Sequence, residues 1–342
     1  MVLIAEARAV ARDWVRGQTG PDLVGAFLAG SSAVGPGGDE LATTSDVDLV
    51  LVTSGVAPAK VGKLWHDGVL LDVSSLSAAE LEPRTIAGTS YLAPFFTDAM
   101  IIHDPAGALA ALHDQVRGLV DQPVWVRRRV TEVRTKITTG LAAADPTAPL
   151  AQQVIGWVFP ASLPTVQLLV AAGRPPTVRK RYLRCQQLLA GTPDAPPDLY
   201  ERLLAALGCA DVTSDQVRRH LDGLADTLRV TATHARTPFP FSSDLRPDTW
   251  HIALDGSVEL VDAGWPREAV WWLLATAARC ATVLAADAPA GVAARHEERL
   301  AAAAADLLGF GPGDGPRRAA DVLDVLPDVD ALVERLVVGA AE

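Results

Sequence analysis

Apolar residues recur at helical spacing at the start of the chain. Leu3, Ala7, Val10 and Trp14 fall four, three and four apart, which lays one stripe along a helix. Gly20-Pro21 ends that helix. Residues 24–29 form a short unbroken apolar run, read as a first strand, and residues 30–44, dense in Gly, Ser and Thr, read as a loop. Residues 46–53 read as a second strand. Asp67-Gly68 marks a turn before a third at 69–76, and residues 100–102 form a short strand closed by Asp104-Pro105. This mixture of extended and helical pieces is an α/β pattern. After Gln122 the period becomes helical, with helices at 125–141, 150–172, 179–190 and 198–207 and a stripe of Val217, Leu221, Leu224 and Leu228. Segments 250–254 and 257–261 flank Asp255-Gly256, the preferred two-residue turn, and read as a β-hairpin. Pro266 suits the first position of a helix through Trp271-Trp272, and two Ala- and Leu-rich helices close the chain. The expected architecture is α+β/α. A small mixed sheet flanked by helices spans 1–121, and a helical bundle with one hairpin spans 122–342, the boundary falling at Asp121-Gln122-Pro123.

Composition adds limits. A chain of 342 residues that is 49% hydrophobic can bury a core in each of two domains, and nothing in it has a disordered composition. A formal charge of −11 counts against a long nucleic-acid partner, which calls for a basic face, and suits a cationic small molecule. Cys185, Cys209 and Cys280 lie far apart, so a disulfide framework or zinc site is not expected. The first sixteen residues carry Glu6, Arg8, Arg12 and Asp13 and lack the apolar core of a signal peptide, and the most apolar stretch, 269–278, is too short to span a bilayer. The expectation is a cytoplasmic protein without a membrane partner.

The candidate chemistry starts at Asp46-Val47-Asp48. Side chains alternate along a strand, so the two carboxylates project to one side while Val47, Leu49 and Leu51 feed the core. Two adjacent carboxylates repel each other unless a cation sits with them, and hard divalent ions take oxygen ligands. Asp72 interrupts an otherwise apolar strand, Val69-Leu70-Leu71-Asp72-Val73. If that strand lies beside the first acidic one, three carboxylates converge and can hold two Mg²⁺ ions for an in-line displacement at phosphorus, with Asp72 also placed to take a hydroxyl proton. Upstream, Gly30 permits close approach of a ligand, Ser31 and Ser32 offer donors, and a helix beginning near Ser32 would present an anion site to a triphosphate.

The string Ala29-Gly30-Ser31, then Ser45-Asp46-Val47-Asp48-Leu49, then the strand carboxylate Asp72, resembles the DNA polymerase β-like nucleotidyltransferase superfamily in order, strand context and spacing. Within it the layout is similar to the aminoglycoside nucleotidyltransferases, in which a catalytic domain is followed by a helical domain that completes the nucleotide and acceptor pocket. The resemblance implies that Gly30 and Ser31 hold nucleotide phosphates, that Asp46 and Asp48 ligate metal, and that Asp72 is the third ligand or the general base. It covers about residues 24–76. The loop from Ser31 to Asp46 is longer than in minimal members, and the Arg that often follows Gly-Ser is absent, with Val34 nearby.

Other candidates carry plainer alternatives. Arg179-Lys180-Arg181 with Arg184 reads most simply as a solvated basic face, and otherwise brings Lys180 and Arg184 to the triphosphate; Arg127-Arg128-Arg129 is a solvated face more firmly still. Trp265, Arg267, Glu268, Trp271 and Trp272 read as helix packing before a pocket lining, and His103 as structural. The expected function is transfer of a nucleoside monophosphate, by default from ATP, to a hydroxyl of a small cationic acceptor such as an aminoglycoside. Nucleotidylation of a protein or tRNA, and a non-catalytic nucleotide-binding regulatory module, are the alternatives.

Overall fold

Helix α1 (Ile4–Arg16) ends at Gly17, whose N–H reaches back to the Trp14 carbonyl. Its buried stripe is Ile4, Ala7, Ala11 and Val15. The two alanines let it lie close on the sheet, and Val10 and Trp14 flank that contact half-buried, one position off the expected stripe. The structure, a computed structural model, describes every residue except Thr19, Pro21 and 340–342, so the helix stop expected at Pro21 lies outside the described residues. The chain divides into two compact units, Met1–Arg129 and Val130–Glu342, the division falling inside helix α6 (Pro123–Ala142).

The first unit is built on a five-stranded mixed sheet in the order β3-β4-β2-β1-β5. β1 (Leu23–Ala29) pairs antiparallel with β2 (Val47–Thr53) and with β5 (Met100–His103), and β2 runs parallel to β4 (Val69–Ser77). The edge strand β3 (Gly62–His66) pairs antiparallel with β4 through Asp67-Gly68, whose φ angles of 43° and 76° are those of a primed hairpin turn. This strand was not expected from the sequence, because Leu64 is its one aliphatic residue. The period of two then sorts the side chains. Ala26, Leu28, Val47, Leu49, Leu51, Leu71 and Val73 pack under α1. Phe27, Ala29, Val50 and Val52 pack on the opposite face with residues of α3 (Pro83–Gly88), α4 (Leu92–Thr97) and α5 (Ala108–Arg117), Phe27 and Phe96 meeting at 4.9 Å. Buried Arg129 satisfies the carbonyls of Ala87 and Val120 at 2.5 and 2.9 Å, so the expected solvated Arg127-Arg128-Arg129 face does not hold at its third member.

The second unit, among the described residues, is helical. α7 (Leu150–Ala171) and α13 (Pro266–Asp287) are apolar nearly all round and pack on each other at its centre, as such helices must. Each is long and apolar enough to cross a membrane, and 78% and 67% of the respective apolar windows are buried within the protein. α10 (Ser214–His234) lays Val217, Leu221, Leu224 and Leu228 inward and starts on a Thr213/Gln216 capping box. α8 (Arg181–Ala190), α9 (Leu199–Leu207), α14 (Ala290–Leu308) and α15 (Gly315–Gly339) complete the bundle.

The expected hairpin is absent. Residues 250–262 form two short helices, α11 (Trp250–Ala253) and α12 (Asp255–Asp262). Gly256 does not adopt a left-handed conformation, and a Cβ on it would fall on Arg179 Nη1. The glycine makes room for that guanidinium, which donates to the Ile252 carbonyl at 2.9 Å. Arg181 is buried too, donating to Ser162 Oγ at 2.7 Å with its guanidinium 3.9 Å from the Trp271 ring centroid. Two members of the basic run therefore staple helices together and do not form a solvated face.

Candidate active site

The register of the sheet brings the acids together. Asp48 lies opposite Asp72 across the parallel β2/β4 pair, Lys63 lies opposite Asp72 across β3/β4, and Ala29 lies opposite Asp48 across β1/β2. One cross-strand row thus runs Lys63, Asp72, Asp48, Ala29, and adjacent strands stand about 5 Å apart. Asp46, one residue ahead of β2, continues the alternation onto the same face.

Gly30 follows Ala29 with φ +65° and opens the five-residue helix α2 (Gly30–Val34). A Cβ on Gly30 would overlap Asp48 Oδ2, so only glycine lets the backbone pass this close to the carboxylate. The helix starts two residues earlier than expected and is too short to add much of a dipole. Ser31 is exposed beside Gly30. Ser32 is buried, and its hydroxyl donates to the Ala29 carbonyl at 3.1 Å, so it holds the loop and has no free face for a phosphate. Arg8 of α1 clamps the far end of α2, donating to the carbonyls of Ser32, Ala33 and Gly35 at 2.6–2.8 Å.

Two cations that sequence reasoning did not single out sit among the acids. Lys63, 8% exposed, places Nζ 2.6 Å from Asp46 Oδ2 and 2.9 Å from Asp72 Oδ2. Lys60, on the approach to β3, places Nζ 2.9 Å from Asp72 Oδ1. Burial pushes the Asp48 carboxyl up to about 7, helped by the charges of Asp46 and Asp72 and opposed by Lys63 and Lys60. Burial acts on Asp72 in the same direction, but the two ammonium groups outweigh it and hold that carboxyl below its ordinary value. A signal for Lys63 was available: counting outward from a two-residue turn at Asp67-Gly68 pairs His66 with Val69 and hence Lys63 with Asp72.

Among the described residues, the group of His, Cys, Asp and Glu ligand atoms lying within 4.8 Å of one another is Asp13, His66 and Asp67. Asp13 and Asp67 are largely exposed there, at 60% and 73%, with His66 Nε2 3.7 and 3.9 Å from their oxygens. The oxygens of Asp46, Asp48 and Asp72 do not close to that spacing, and the Lys63 ammonium stands between Asp46 and Asp72.

Lys180 and Arg184 belong to the second unit. Lys180, half-buried, precedes α8, and burial and then neighbouring Arg179 lower its pKa. Arg184 is exposed on α8 and donates to Gln187 at 3.2 Å. In the aromatic and charged cluster, Trp271 is fully buried against Phe159 and Trp272, Arg267 pairs with Glu201 at 2.6 and 3.0 Å, and buried Glu268 accepts from Tyr200.

No family model matches the chain, and no curated protein matches it.

Proposed function

We propose that the first unit is a Mg²⁺-dependent nucleotidyltransferase that moves a nucleoside monophosphate, by default AMP from ATP, onto a hydroxyl of a small cationic acceptor, releasing pyrophosphate. The observation that carries this reading is the in-register pair Asp48 and Asp72 with Gly30 against Asp48 Oδ2. Carboxylates side by side on neighbouring strands are costly unless a cation sits with them; Lys63 and Lys60 pair with Asp46 and Asp72, and Asp48, beside which Gly30 carries no Cβ, is the acid left short of counter-charge. An all-oxygen donor set fits a hard divalent ion, and Asp46, Asp48 and Asp72 are the residues that would hold magnesium. When bound, the metal supplies charge neutralisation and polarisation at the phosphoryl group and the acceptor oxygen. Ser31, exposed next to Gly30, offers a hydroxyl and an N–H to the phosphates. Between the two roles open to Asp72, its lowered pKa favours ligand over general base, because a carboxylate held by two ammonium groups is a weak proton acceptor. The acidic balance of the chain, −11, favours a cationic acceptor, and an aminoglycoside or related natural product is the class proposed.

The test incubates each of the four NTPs with Mg²⁺ and a panel of aminoglycosides and reads product mass and pyrophosphate. An adduct heavier by one nucleotide, abolished by Asp46→Asn, is expected; no adduct and no pyrophosphate with any pair would sink the reading. One observation favours a second reading, a nucleotide-binding module without catalysis: Lys63 and Lys60 already neutralise part of the acidic charge. Under it an ATP analogue raises the melting temperature equally with Mg²⁺ and with EDTA.

A further inference from the structure

Lys63 is nearly buried, and a buried ammonium is tolerated only when paired. It takes two carboxylate partners, Asp46 and Asp72, from the acids that would hold a metal, and Lys60 pairs with Asp72 as well. With every group ionised, three carboxylates face two ammonium groups, leaving a single negative charge. A divalent cation that takes Asp46 and Asp72 alone must break three ion pairs and draw both carboxylates away from Lys63. A triphosphate entering alone meets three carboxylates. Arriving together they solve both problems, since each supplies the partner that the other displaces. Both lysines have four-carbon stems, and they lie on or just before the edge strand of the sheet, so their ammonium groups can swing without breaking a central pairing.

We propose, resting on the nucleotidyltransferase reading above, that Lys63 and Lys60 are triphosphate-binding cations stored on the acids of the site. Metal and triphosphate enter by exchange: the divalent ion takes the carboxylates of Asp46 and Asp72, and the triphosphate takes the two ammonium groups. Binding of the two is therefore strongly coupled, and the coupling is reciprocal. Lys63 limits metal affinity in the free protein and contributes phosphate affinity in the loaded one.

The experiment is calorimetry on the full chain with three probes: Mn²⁺ alone, inorganic tripolyphosphate alone in EDTA, and their preformed one-to-one complex. Inorganic tripolyphosphate removes the unknown base from the question. For the wild type the complex is expected to bind about tenfold or more tighter than either component. For Lys63→Met, Mn²⁺ alone is expected to bind about tenfold tighter than to the wild type, while the complex binds more weakly than to the wild type. Equal affinity of Mn²⁺ for wild type and Lys63→Met, or a complex that binds the wild type no better than its components, overturns the exchange while leaving the metal site standing. If neither protein binds Mn²⁺, and Asp46→Asn changes nothing, the metal site itself is wrong and the functional reading falls with it. Circular dichroism checks that Lys63→Met folds. If it does not, Lys60→Met, at a side chain 44% exposed, carries the same comparison, with the same signs and smaller changes.

Discussion

The electrostatics of the acidic row make a claim that needs no substrate to check. Asp48 has its carboxyl pushed up to about 7 from an ordinary 3.8, first by burial and then by Asp46 and Asp72. Between these two values the folded protein holds a proton that the unfolded chain releases, so metal-free stability falls as pH rises through that window, and the whole cost is present above about 7. About three pKa units at roughly 1.4 kcal/mol each set an upper bound near 4 kcal/mol. Asp48 is half-buried and its neighbours can relax, so about 2–4 kcal/mol is the working range. Asp48→Asn keeps the shape and removes the charge. In EDTA at pH 8 the variant should be more stable than the wild type by that amount, a melting shift on the order of 5–10 °C. The advantage should shrink steadily below pH 7 and nearly vanish at pH 4. Saturating Mg²⁺ should narrow or close the gap at pH 8, because about 2.7 kcal/mol, comparable to the cost, accrues to the wild type at a hundred times its Kd and less to a site lacking the Asp48 charge. Thermal unfolding followed by circular dichroism at pH 4, 6 and 8, with EDTA or Mg²⁺, reads all of this. A variant no more stable than the wild type at pH 8 in EDTA, or a gain independent of pH, would show that Asp48 carries no such burden, and the physical case for a cation at this site would be lost.

Three further substitutions test how the surroundings hold. Gly30→Ala forces a left-handed residue and a Cβ onto Asp48 Oδ2, so it should cost about 1–3 kcal/mol in thermal unfolding and weaken Mn²⁺ binding in calorimetry; unchanged Mn²⁺ affinity would mean that the close approach has no functional purpose. Arg181→Met removes the buried donor to Ser162 and the guanidinium over Trp271, and a loss of about 2–4 kcal/mol of second-unit stability is expected in urea titration; a change under about 0.5 kcal/mol would show that Arg181 is no staple. Tyr200→Phe leaves the buried Glu268 carboxyl without the hydroxyl that donates to it, which should cost about 1–3 kcal/mol, most of it recovered by adding Glu268→Gln; equal losses in single and double variants would argue that the pair is not coupled.

How far the residues themselves declared this arrangement depends on the range of the physics involved. Short periods are local, so the strands at 24–29, 46–53, 69–76 and 100–102 and the four helices at 125–141, 150–172, 179–190 and 198–207 were readable within one or two residues of their observed ends, whereas the short helices α3, α4 and α5 were not. Asp255-Gly256 failed because a dipeptide that favours a primed turn is also tolerated inside a helix when a neighbour needs the space. Arg179 lies 77 positions upstream of Gly256, and no window over the turn contains it. Arg181 and Arg129 read as surface charge for the same reason. A cation looks solvated until the carbonyls, hydroxyl and ring that receive it are known, and those come from Ala87, Val120, Ser162 and Trp271.

The acids and the lysines of the first unit form the sharper contrast. Asp46, Asp48 and Asp72 stood out because a charge inside an apolar alternation breaks a pattern, whereas Lys60 and Lys63 lie in a polar, glycine-containing stretch where another charge breaks nothing. Yet the lysines decide what the acids do in the free protein. Without them, three clustered carboxylates would raise one another's pKa, and the site would be relieved only by protonation or metal. With them, Asp72 is held ionised and Asp48 bears the strain, so a single row of the sheet contains one carboxylate locked to ammonium groups and another left short of counter-charge. That asymmetry makes the two acids experimentally separable. Asp72→Asn should remove one of the carboxylates paired with Lys63, cost stability across the neutral range and be worsened by removing metal only slightly, while Asp48→Asn should stabilise the metal-free protein. Opposite signs from two isosteric changes at facing positions in one pair of strands are hard to obtain from packing, because packing would treat both as the same small loss.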